Sequence, residues 1–156
     1  MSSEAKLQDT ATMPVAGKPP SVVSVKWDGD HRFDAGVAAG GPTIRIDASR
    51  KTGPSPVDVL LTALGSCAAI DVIEILAKRR TPVEALEVTV VGERAAATPS
   101  RVTKATLTFT VISATAEREH AERAIELSVN KDCSVRDSLD PNMPLEWKLI
   151  LNGSEK

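Results

Sequence analysis

Cys67 and Cys133 are the only thiols in this 156-residue chain, and they stand far apart in sequence. A thiolate can attack an O–O bond, and a second thiol can condense with the resulting sulfenic acid before oxidation goes further. Two cysteines suffice for that cycle. In a reducing compartment a permanent structural disulfide is not expected, so the two are either buried small hydrophobes or a redox pair. Two histidines and two cysteines without short ligand spacing do not make a zinc site. Gly40-Gly41 is followed by Pro42 and an extended segment, so it is no phosphate loop, and no nucleophile elbow is visible. Neither a cofactor nor a metal is expected.

Composition narrows the partners. With two Trp, two Phe and no Tyr, the chain lacks the aromatic platforms on which nucleic-acid bases stack. Its net charge is −2, with Lys and Arg dispersed among Asp and Glu, so there is no basic footprint for nucleic acid or an acidic membrane. Met1 to Pro20 has no apolar run suited to a signal peptide and no stretch approaching a span of about 20 residues. A cytoplasmic location is the expectation. That segment is rich in small residues and proline and lacks periodicity, so residues 1–20 read as a disordered leader and 21–152 as one domain.

The elements that must position the cysteines follow from pattern. Ser21 to Trp27 alternates and is β-branched, Asp28-Gly29-Asp30 turns, and strands follow at about Arg32 to Ala38 and Thr43 to Asp47. Ser55-Pro56-Val57-Asp58 combines a Ser N-cap, Pro at the first helical position and an acid at the third, opening a helix to about Arg80. Leu60, Leu61, Leu64, Ala68, Ile70, Ile73 and Leu76 surround its axis, which predicts a buried helix. Leu86 to Arg94 and Val102 to Ile112 form a second hairpin, and Glu117 to Asn130 an amphipathic helix. Asp132 is then expected to cap a short helix carrying Cys133 in its first turn, and Leu145 to Leu151 makes a last strand. The order βββαββααβ is α+β, with antiparallel sheets around a long central helix. One sheet covers only one side of a helix, so a helix apolar all round requires a second covering surface, most economically a partner subunit.

The run Gly53-Pro54-Ser55-Pro56-Val57-Asp58-Val59-Leu60-Leu61, with Gly65-Ser66-Cys67, Asp71-Val72 and Lys131-Asp132-Cys133-Ser134-Val135, resembles the OsmC/Ohr family over roughly Ser21 to Leu151. The resemblance implies an intertwined homodimer with each site at the interface. In the best-known members it also implies thiol-dependent reduction of organic hydroperoxides, here with a dithiol reductant, for instance of lipoyl type. Cys67 resembles the peroxidatic cysteine and Cys133 the resolving one. Peroxidase members carry a Glu directly after the helix-starting Pro, which orients the substrate together with an Arg from the early strands. Here that position is Val57, and Asp58 stands one residue on.

Asp58 has two readings, a surrogate for that Glu or the closing member of a capping box. At about 100° per residue it lies roughly 180° from Cys67 on a straight helix, so a direct role requires distortion, with Gly65 the nearest candidate. Arg32 sits in the appropriate early hairpin, with Arg45 and Arg50 less apt. Asp71 and Glu74 project on the Cys67 side, which suggests a helix turning towards solvent near its end. Two functions remain: a hydroperoxide reductase, or a non-peroxidase dimer acting as a ligand-binding or sulfur-handling module.

Overall fold

The computed structural model describes residues 17–155, so the expected leader lies outside the described residues apart from 17–20. Strands β1 (Val23–Trp27), β2 (Arg32–Val37) and β3 (Ile44–Asp47) form an antiparallel meander. Helix α1 (Pro56–Lys78) follows, then the hairpin β4 (Ala85–Arg94) and β5 (Val102–Ile112). Helix α2 (Arg118–Leu127) runs into a π-helical turn (Ser128–Asp132), the short α3 (Ser134–Asp137) and β6 (Leu145–Leu151). The mixed α+β class and the central helix are as expected.

Helix α1 starts where its cap dictates. Ser55 holds an extended conformation, its Oγ accepts the Asp58 N–H at 3.3 Å, and Asp58 Oδ2 accepts the Ser55 N–H at 2.9 Å. Two of the unpaired donors of the first turn are thereby satisfied reciprocally. Leu64, Ala68, Val72 and Leu76 form one stripe, each at most 1% exposed. They meet the inward-facing alternate positions of β5, namely Ala105, Leu107, Phe109 and Val111, together with Ala121, Ala124 and Ile125 of α2. The length and mean hydropathy of 2.0 of α1 would suffice for a membrane span. Its buried stripe nevertheless builds the core of the fold, and Asp58, Asp71 and Glu74 break the remaining surface.

Three expectations need correction. The second sheet is mixed, because β4–β5 is antiparallel while β6 lies parallel to β5, from Ala105↔Leu145 to Val111↔Leu151. The helices between β5 and β6 supply the long crossover that a parallel pair requires. Helix α1 is not buried all round within one protomer, since Leu60, Ile70 and Ile73 are 40–55% exposed. Gly65 does not distort α1, which is continuous through it. Its role is close approach: a Cβ there would stand 2.8 Å from Val90 Cγ2 on β4.

The first sheet is open on its apolar side. Register places Val23, Val25, Trp27, Phe33, Ala35, Val37, Ile44 and Ile46 on one face. Val23, Val25, Trp27, Val37 and Ile44 are all more than half exposed. The opposite face carries charge, with Arg45 bound to Asp34 and Asp28 at 2.9 and 2.8 Å.

Candidate functional site

The two cysteines arrive at one place from different elements. Cys67 lies in the middle of α1, half-buried, in the helical turn that also carries Leu64 and Ala68. Cys133 follows the π-helical turn, whose wide winding lets its N–H donate to Ser128 O at 2.9 Å. Both thiols are free, and they share one region of the core: Cys67 packs against the buried cluster that contains Cys133. Cys133 is therefore not in the first turn of a helix capped by Asp132, as the sequence suggested. It is itself the N-cap of α3, its Sγ accepting the Arg136 N–H at 3.4 Å.

The surroundings separate the two thiols chemically. Burial pushes the Cys133 thiol up to about 11, contact with Cys67 adds to the rise, and the backbone N–H groups of Arg136 and Val135 oppose it. Cys133 is thus held protonated at neutral pH. It borders a cavity of about 190 Å³ with Val129, Lys131, Arg136 and Leu139. The Arg136 guanidinium donates to two carbonyls, Asp140 O at 3.0 Å and Met143 O at 2.9 Å. These carbonyl acceptors hold the guanidinium in place at the cavity, which Asp137 also lines.

Asp58 and Arg32 stand elsewhere. Asp58 is gripped by Arg50, with Nε to Oδ2 at 2.7 Å and NH2 to Oδ1 at 2.9 Å, and it closes the capping box. It lines a groove of about 460 Å³ between α1 and β4 with Thr62, Ser66, Ala69 and Ile73, on the helix side away from Cys67. Arg32 bends over the β1–β2 turn, donating to Asp28 O at 3.2–3.3 Å and lying 3.7 Å from Asp30. Within the protomer the structure thus joins Cys67 with Cys133, and it joins Asp58 with Arg50 rather than Arg32. Sequence pattern favours Arg32, in the early hairpin, over Arg45 and Arg50. The left-handed backbone of Arg50, φ 59°, gives the segment after β3 a bend from which the side chain reaches α1. Asp71 is not turned to solvent: it is half-buried and meets Ser128 Oγ at 3.1 Å, whereas Glu74 is exposed. Among the described residues, no group of three or more His, Cys, Asp or Glu side chains could hold a metal ion.

The Arg50–Asp58–Ser55 cluster gives a pH prediction. Arg50 and then Ser55 hold the Asp58 carboxyl well below the usual carboxylate range. A depressed folded-state pKa means that the cluster stabilises the fold above the unfolded carboxylate pKa of about 4, with the contribution lost as pH falls below it. Asp58→Asn should flatten that acid limb in thermal melts recorded from neutral to acid pH. Ser55→Ala should cost about 1 kcal/mol at neutral pH, the usual worth of an N-cap.

Comparison with known proteins bears on the family and the fold. A family model described as OsmC-like protein matches residues 48–148. Protein YhfA of Escherichia coli strain K12 is 38% identical over 112 residues, which are 71% of this chain and 83% of that relative. The structure of an OsmC-like protein from Mycoplasma pneumoniae has a TM-score of 0.74 at 15% identity, covering 86% of this chain and 99% of its own. The organic hydroperoxide resistance protein OhrB of Bacillus subtilis has a TM-score of 0.56 at 15% identity, covering 83% and 97%. At such identities the two structures speak for the fold.

Proposed function

Because the chain belongs to the OsmC-like protein family, we propose that it is a cytoplasmic, homodimeric thiol peroxidase that reduces organic hydroperoxides. The observation that carries this reading is the placement of two free thiols at one core cluster, one on the central helix and one at the start of α3. The Cys67 thiolate attacks the terminal oxygen of the hydroperoxide, the O–O bond breaks, and the alkoxide leaves as alcohol after taking a proton. Cys67 is then a sulfenic acid. Cys133 displaces its hydroxyl as water and closes the disulfide, and a cellular dithiol of lipoyl type reopens it while becoming a disulfide itself.

One equivalent of an alkyl hydroperoxide should produce an intrachain Cys67–Cys133 link, read by mass-spectrometric thiol mapping. Free thiols, or links between chains only, would exclude the two-cysteine cycle.

One observation favours a second reading, a ligand-binding or sulfur-handling dimer. Asp58 is committed to Arg50 and the helix cap, on the opposite side of α1 from Cys67, and Val57 holds the position of the family Glu. Wild-type protein that consumes neither alkyl nor lipid hydroperoxide with any dithiol, beside a Val57→Glu variant that does, would decide for it.

A further inference from the structure

Ser128 is completely buried at the junction of α2 and the π-helical turn, and it touches both cysteine-bearing elements at once. Its Oγ lies 3.1 Å from the carbonyl oxygen of Ala68, the residue after Cys67, and 3.1 Å from Asp71 Oδ2 one turn further along α1. Its own carbonyl accepts the N–H of Cys133 at 2.9 Å. One residue therefore holds α1 through its side chain and Cys133 through its backbone. A hydroxyl has a single hydrogen, so the two α1 oxygens share it, and a buried hydroxyl with two such acceptors resists both rotation and sliding.

We propose that Ser128 is a positioning residue, anchored by Asp71, that sets the register of Cys67 against Cys133. The inference rests on the reading that these thiols form a disulfide. A sulfur–sulfur bond tolerates little error in Cα separation or dihedral angle, so a small slip between α1 and the π-helical turn removes the alignment that closure needs. Loss of the Ser128 hydroxyl leaves the helical hydrogen bonds of α1 in place, since Ala68 O accepts from Ser128 in addition to its place in the continuous helix. The effect is accordingly on the relation between the two elements rather than on α1 itself.

The test is equilibrium oxidation of the full chain in glutathione buffers, where closing the protein disulfide reduces one glutathione disulfide to two glutathione thiols. The midpoint gives the effective concentration of one protein thiol for the other. Ser128→Ala should lower it on the order of tenfold and Asp71→Ala about threefold, the size of effect expected from modest misplacement. Ser113→Ala is the matched control. Ser113 is equally buried, with its Oγ donating to Pro82 O at 2.8 Å and accepting the Ala116 N–H at 3.1 Å, so its loss lowers thermal stability without touching either cysteine element. That control should leave the effective concentration unchanged. Should Ser128→Ala not fold, Asp71→Ala, altered at a half-buried site, decides the matter. Values within twofold of wild type for the Ser128 and Asp71 variants would overturn the proposal, as would a wild-type pair that does not close. Closure in wild type without any consumption of hydroperoxide overturns the peroxidase reading alone.

Discussion

Cys67→Ser is expected to abolish hydroperoxide consumption, whereas Cys133→Ser should allow about one turnover and leave Cys67 as a sulfenic acid that a dimedone-type probe captures. The asymmetry follows from the two environments. Cys133 is buried, its thiol raised to about 11, so it is poorly suited to begin the reaction, while its place in the core cluster that Cys67 packs against suits it to finish. With the resolving thiol removed, excess peroxide should carry Cys67 on to sulfinic acid, visible as a mass increase that dithiols do not reverse. Equal multiple turnover by both single variants would defeat the assignment of roles. So would single-turnover behaviour in Cys67→Ser and not in Cys133→Ser.

The second large effect concerns assembly. Val23, Val25, Trp27, Val37 and Ile44 form an open apolar face on the first sheet, and Leu60, Ile70 and Ile73 project from α1. Exposed apolar surface on this scale is uncommon in monomeric soluble proteins, so we expect a second copy of the chain to cover these side chains. Sedimentation at micromolar concentration should therefore show a dimer and no stable folded monomer. Trp27→Asp or Ile73→Asp would place an unpaired charge in that interface, a penalty of several kcal/mol, which weakens association by roughly a hundredfold or more. A well-folded wild-type monomer would refute the prediction and leave these side chains without cover.

Much of the architecture could be read from short-range chemistry. The Ser55–Asp58 capping box and Pro56 placed the start of α1 to the residue, and alternation along Val102 to Ile112 matched the buried and half-buried positions of β5. The pairing of the two cysteines was expected from family resemblance rather than from spacing. What escaped the sequence were relations between elements. Nothing in Leu145 to Leu151 states whether the strand runs parallel to β5, because that direction is set by how far the chain travels beforehand. The π-helical turn of Ser128–Asp132 leaves no compositional trace, and it moved Cys133 from a helical turn to an N-cap. Sequence pattern favours Arg32 in the early hairpin and gives no sign that Arg50 reaches the helix start. The left-handed conformation that turns Arg50 towards Asp58 is uncommon outside glycine. Ser128 gave no signal at all, since a serine near the end of an amphipathic helix is ordinary until its two acceptors are seen.

The parallel pairing of β5 with β6 also imposes an order in time. As the chain leaves the ribosome, α1 with Cys67 and the β4–β5 hairpin are made well before Leu145–Leu151 exists. Until that last strand emerges, β5 keeps an unpaired edge, and its inward residues Ala105, Leu107, Phe109 and Val111 lack Leu149 and Leu151 beside them. A nascent chain in this interval carries an exposed edge strand, the kind of template that invites pairing with the wrong partner. The thiol of Cys67 waits through the earlier part of that interval, until residue 133 is made, without Cys133 in the chain.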